Sequence, residues 1–255
     1  MKAALFMIFS QLALAGQSNA QTLHLSSCEF AVVLRPSSLG APTISSASAS
    51  AGVSLQALPD GVRLVCAKPN QRSEASARGS SSVIISGTRI NRAIGPGAIA
   101  EQNIGGQRST ARSEDPVKTV VISVPSAWRI QARSWIGLLH ADTGIWQADV
   151  EIAAGEMSFF QLKDSRVVVD AGSFTAQSLQ GRFDAHLRGA GDIEVLRSND
   201  AQLNLQLSGA GSMSFKGRAQ SAVIRASGIG SIEIEKVITE PKISSSSLTT
   251  IDIGR

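Results

Sequence analysis

The sequence predicts an all-β chain. The expected form is a single-stranded β-solenoid (β-helix) with rungs of about 19 residues, preceded by a short N-terminal strand and hairpin region and a long irregular insertion. Three observations predict it. Apolar residues beyond the first twenty recur with period two rather than 3.6. One glycine-plus-alternation pattern returns five times at nearly constant spacing. The composition has eight Phe, three Trp and no Tyr, with 23 glycines, which suits thin, regular β-structure better than stacked helices.

The elements follow in chain order. Residues 1–20 read MKAALFMIFSQLALAGQSNA, with Lys2, an apolar run and Ser18-Asn19-Ala20 at the end. A positive start, a short apolar stretch and a small-x-small site predict a secretory leader cut after Ala20. The run is too short to span a bilayer, and no later stretch is long and apolar enough to do so. Residues 21–67 are expected to hold strands and a hairpin. Leu23, Leu25 and FAVVL form one strand region, and a Ser/Ala-rich connector follows. Val53, Leu55 and Ala57 lead into Pro59-Asp60-Gly61, and Val62, Leu64 and Cys66 return. Proline presets φ and glycine accepts a positive φ, so residues 53–67 predict a β-hairpin. Cys28 and Cys66 both fall in strand-like runs. Two cysteines in an exported chain predict one disulfide, and closing that loop would stabilise the fold by roughly 3–4 kcal/mol on the chain-entropy model.

Residues 68–116 differ in kind. They are rich in Ser, Arg, Gly and Asn and buried-type residues are few, so a flexible insertion or linker is expected. Much of the chain's formal charge of +4 comes from Lys68 to Lys118, where eight Lys and Arg face four Asp and Glu. These charges are scattered and no aromatic accompanies them. Nucleic acid is therefore not an expected partner.

Residues 117–255 are expected to be the solenoid. Val120, Ile122 and Val124 alternate up to Pro125. Gly155, Gly172, Gly191, Gly211 and Gly230 then recur at spacings of 17, 19, 20 and 19. Two residues after them stand Met157, Phe174, Ile193, Met213 and Ile232. Four residues after them stand Phe159, Ala176, Val195, Phe215 and Ile234. The positions between are polar, so one strand pattern repeats in register with an inner and an outer face. Apolar alternation also precedes the later glycines, in Phe183, Ala185 and Leu187, in Leu203, Leu205 and Leu207, and in Ala222, Ile224 and Ala226. A period near 20 marks repeats that bury their apolar faces only by stacking. Gly155, Gly172, Gly189, Gly191, Gly209, Gly211, Gly228 and Gly230 are expected at the corners, where the chain turns and neighbouring rungs crowd.

Other readings of these glycines are weaker. A dinucleotide fingerprint needs a helix after its Gly-rich turn, and none is predicted. Gly95-Pro96-Gly97-Ala98-Ile99-Ala100 mimics one only inside the irregular insertion. The calcium β-roll repeats every nine residues, about half the period found here.

The segments SGAGSMSF, RGAGDIEV and SGIGSIEIEKV, with VVISVP ahead of them, resemble the family named for the head GIN domain of auto-transporter adhesins. The resemblance covers roughly residues 117–255, with a weaker echo over 25–67. It implies an exported bacterial envelope protein built as a β-solenoid. It carries no catalytic residues over to this chain and does not account for the 68–116 insertion.

Candidate chemistry is sparse. His24, His140 and His186 lie apart from one another and from the cysteines at any ligand spacing, so no metal site and no cofactor is expected. There is no nucleophile-elbow motif. By analogy with carbohydrate-active β-helices, Asp192 and Glu194 with Asp170 and Asp184 are the carboxylates that could serve as acid and base. Alternating polar residues are, however, what any wet strand face carries. The expectation is a non-enzyme in the periplasm or on the outer cell surface that binds an envelope or cell-surface polymer or protein. A structural, self-associating envelope protein is the alternative, and a carbohydrate-active enzyme ranks below both.

Overall fold

The computed structural model describes residues 21–28, 31–47, 52–66, 83–85, 88–90, 119–246 and 248–254. The expected leader and most of the expected 68–116 insertion lie outside the described residues. Among the described residues there are strands and no helix, so the chain is all-β. The N-terminal strands are β1 (Thr22–Leu25), β2 (Ala31–Ser37), β3 (Thr43–Ala47), β4 (Val53–Leu58) and β5 (Gly61–Cys66). Two short strands, β6 (Val83–Ile85) and β7 (Thr88–Ile90), pair antiparallel in a sheet of their own. The rest are β8 (Thr119–Pro125), β9 (Arg129–Leu207), β10 (Ala210–Ala226), β11 (Ile229–Val237), β12 (Lys242–Ser245) and β13 (Thr249–Ile253). Apart from β6 and β7, they all join one 11-stranded sheet.

β9 explains much of the architecture. A straight strand of its 79 residues would run about 260 Å. Arg133 nevertheless reaches Asp149, and His140 reaches Ser158, 16 and 18 residues on. Successive stretches of β9 therefore lie side by side. The chain bends at left-handed positions that include Ser134, Asp164 and Asp200. Asp is one of the few non-glycine residues that tolerates that conformation.

The later strands pair in parallel. Met213 faces Ile193 on one side and Ile232 on the other, and Ile232 in turn faces Ile251. One step in this register is 20 residues and the next two are 19. The ten apolar positions after the repeated glycines, from Met157 to Ile234, are all buried to 1% exposure or less. Phe183, Leu187, Leu203, Leu205, Leu207 and Ile224 are buried with them. Phe174 stands between Phe159 and Phe183, with ring centroids 5.8 and 6.2 Å away, so the aromatic side chains follow one another through the core.

The predicted hairpin is present as β4 and β5, with Leu55 opposite Leu64. The N-terminal strands are not a separate region ahead of the repeats, because the sheet interleaves them with later ones. β1 lies between β5 and β9, Leu23 facing Val62 and Ile130. β2 lies between β8 and β9, Val32 facing Val120 and Leu139. The reason is burial: Leu23, Leu25, Val32 and Leu34 are apolar on one face, and two short strands cannot cover such a face by themselves. β3 and β4 then pair antiparallel on β8 and β5. They close the parallel body at that end, where open strand edges would otherwise invite other chains.

Candidate functional site

The eight glycines expected at corners form two lines. A Cβ on Gly155, Gly172, Gly191, Gly211 or Gly230 would run into the backbone of Gly137, Gly155, Gly172, Gly191 or Gly211 respectively. A Cβ on Gly189, Gly209 or Gly228 would meet the backbone of Asp170, Arg188 and Gly189, or Ser208 and Gly209. Each glycine is thus pressed against the stretch before it. These residues hold the scaffold together, and none of them offers a cradle to a ligand. Cys28 and Cys66 are joined in a disulfide with their Cα atoms 5.8 Å apart. The bond ties the segment after β1 to the end of β5.

Polar side chains lie along two runs of strand. The run after the glycines carries acids and hydroxyls in register. Asp192 and Glu194 face Ser212 and Ser214, which face Ser231 and Glu233, which face Thr250 and Asp252. Ser212 donates to Asp192 Oδ1 from its hydroxyl at 2.6 Å and from its backbone N–H at 3.2 Å. Lys216 approaches Glu194 only at 4.0 Å.

The run before the glycines is a lattice of ion pairs. Arg188 donates to Asp170 at 2.7 and 2.8 Å and to Glu151 at 2.5 Å. Those hydrogen bonds hold its guanidinium pKa above the ordinary arginine value. Arg133 donates to Asp149 at 2.6 Å, and Arg182 donates to Asp184 at 3.0 Å. Asn204 donates a further bond to Asp184 at 2.9 Å. A groove of about 400 Å³ opens here between Asp149, Asp164, Arg166 and Arg182. Its charges are largely spent on one another. The four carboxylates expected to have acid–base potential are divided between the two runs. Asp170 and Asp184 are bound to arginines in this lattice, whereas Asp192 and Glu194 stand on the other run.

The histidines are each paired to a different residue. His24 Nε2 is 3.1 Å from Asp60, His140 Nδ1 is 2.6 Å from the Ser158 hydroxyl, and His186 Nε2 is 3.0 Å from the Ser208 hydroxyl. Burial and the charge of Arg188 lower the pKa of His186. Among the described residues no three His, Cys, Asp or Glu side chains gather as a metal site would require.

One concavity stands out on the hydroxyl-bearing side. It has a volume of about 270 Å³ and is lined by His140, Asp142, Ser158, Phe160, Thr175 and Gln177. Phe160 is 48% exposed while Phe159 beside it is 1% exposed. Asp142 Oδ1 accepts a bond from the Thr143 N–H at 2.9 Å, and its Oδ2 faces Arg35 at 3.5 Å. Sequence reasoning passed over Phe160. The available signal was two adjacent phenylalanines, since strict alternation sends only one of them inward.

Residues 139–251 match the model of the family described as "Putative auto-transporter adhesin, head GIN domain". No curated protein and no solved structure matches the chain.

Proposed function

We propose, from the family match over residues 139–251, that this chain is an exported, non-catalytic binding head of the bacterial envelope. In this reading it coils as a β-solenoid with rungs of about 19 residues, which the parallel pairing of Met213 with Ile193 and Ile232 supports. The observation that carries the function is the contrast between its two polar runs. One is locked by ion pairs through Arg188, Arg133 and Arg182. The other presents hydroxyls and carboxylates in register, from Asp192 to Asp252, with few cations against them. A rigid, regular face of donors and acceptors suits recognition of a repetitive polymer, because its own repeats can match the ligand's. No helix among the described residues is long and apolar enough to cross a membrane.

The test is protease treatment of intact cells, with a periplasmic protein as internal control. The arginines and lysines of 68–116 offer trypsin sites. Cleavage with the control protected is the expected outcome for a surface binding head. Protection until the outer membrane is opened would count against a surface role and move the binding partner into the periplasm.

A second reading, a self-associating structural element, is favoured by one feature. Among the described residues β12 pairs only with β10, and β13 only with β11. Ile243 and Leu248 are 49% and 65% exposed at that end. Sedimentation velocity separates the readings, since self-association would give species that grow with concentration.

A further inference from the structure

We infer that the concavity beside Phe160 is a subsite for one neutral pyranose ring of a glycan chain. This rests on the binding-head reading and names the chemistry of its ligand. Phe160 puts a half-exposed aromatic side chain at the wall of a concavity, where the apolar surface of a partner can pack on it. A pyranose offers such a surface in the C–H groups of one ring face, while its rim carries hydroxyls. Each hydroxyl both donates and accepts, so the site must supply both functions. The Asp142 carboxylate accepts, the Gln177 amide does both, and the Ser158 and Thr175 hydroxyls and the His140 imidazole adapt to either. His140 and Ser158 are already joined at 2.6 Å, and Asp142 is anchored through Thr143 and Arg35. These three polar groups are therefore positioned before any ligand arrives, which lowers the ordering cost of binding.

The volume of about 270 Å³ suits one ring, with the rest of the chain lying outside. Charge sets the class of sugar. Asp142 stands in the concavity, and Asp192, Glu194, Glu233 and Asp252 lie along the same polar run. Among the described residues no Lys or Arg lines the concavity and nearby Arg35 is engaged by Asp142, so a uronate or sulfated ring would find no free cation there and a neutral ring is favoured.

The experiment is saturation-transfer NMR on the full secreted chain. The probes are methyl β-glucoside, methyl β-galactoside and N-acetylglucosamine at millimolar concentration. Saturation is expected on the ring C–H protons of at least one probe. Phe160→Ala should weaken that binding about tenfold, Phe160→Trp should keep it, and Glu240→Gln, in the exposed turn after β11, should leave it unchanged. Circular dichroism confirms that each variant is folded, and Gln177→Ala gives a second test that leaves the core untouched. No saturation of any probe, or equal binding by wild type and Phe160→Ala, would overturn the inference. Glycans prepared from the cell's own envelope and from foreign cells separate the two sources of such a ring. If the protein binds envelope material and Phe160→Ala binds it equally well, the subsite is wrong and the binding-head reading stands. If the wild type binds no such material, both fail.

Discussion

Gly211 shows how one missing atom holds the molecule together. A Cβ there would run into the carbonyl oxygen of Gly191, and its φ of 152° lies in a region that side chains rarely adopt. Gly211→Ala should therefore destabilise the protein by roughly 2–4 kcal/mol, because backbone must move on backbone. Gly40 has open space around its Cβ position, so Gly40→Ala is the matched control and should change the melting temperature little. Thermal melts of the two variants check the contrast. The regular spacing of these glycines is visible in the sequence, but the contact that enforces it is not. His186 makes a second, smaller prediction. Burial, then Arg188, lowers its pKa from 6.5, so the folded imidazole resists a proton that the unfolded chain accepts. Stability should fall as the pH drops below about 6.5 and level off once the folded group titrates too. His186→Gln should flatten that slope in denaturant titrations run across pH 5 to 8. An unchanged slope would assign the acid sensitivity to other groups.

The elements were legible where alternation alone decides them. Met157, Phe174, Ile193, Met213 and Ile232 show their inward direction by period two, and all five are buried. The β4–β5 hairpin was legible from Pro59-Asp60-Gly61, because its turn chemistry is local. The partners of β1 and β2 were not. Alternation tells which way Leu23 points but not that Ile130 will lie beside it. Phe160 was hidden for a related reason, since its value depends on Gln177 and His140, which adjacent stretches bring alongside. The disulfide acts at this scale. Its two cysteines are 38 residues apart, and the chain-entropy model gives about 4 kcal/mol for such a loop. Reduction, or Cys28→Ser with Cys66→Ser, should lower stability by about that amount in a urea titration. No change would mean that β1 and β5 are held by the parallel ladder without help.

For the molecule as a whole, β6 and β7 form a sheet of their own, outside the 11-stranded one. Removing residues 70–114 should accordingly leave the β-type far-UV circular dichroism intact, and its loss would show that the segment belongs to the core. The interleaving of the first strands has a further consequence, in time rather than in space. β1 and β2 are made before the other strands described, yet each is flanked by a stretch made about a hundred residues later: Leu23 needs Ile130, and Val32 needs Val120 and Leu139. Loop closure over such separations is slow, so the opening strands must wait. A chain threaded N-terminus first across a membrane would thus remain unfinished at its leading end until β8 and the start of β9 had followed. That delay keeps the leading segment open to chaperones and to the thiol oxidation of Cys28, and it makes the last strands to be inserted among the first to be synthesised.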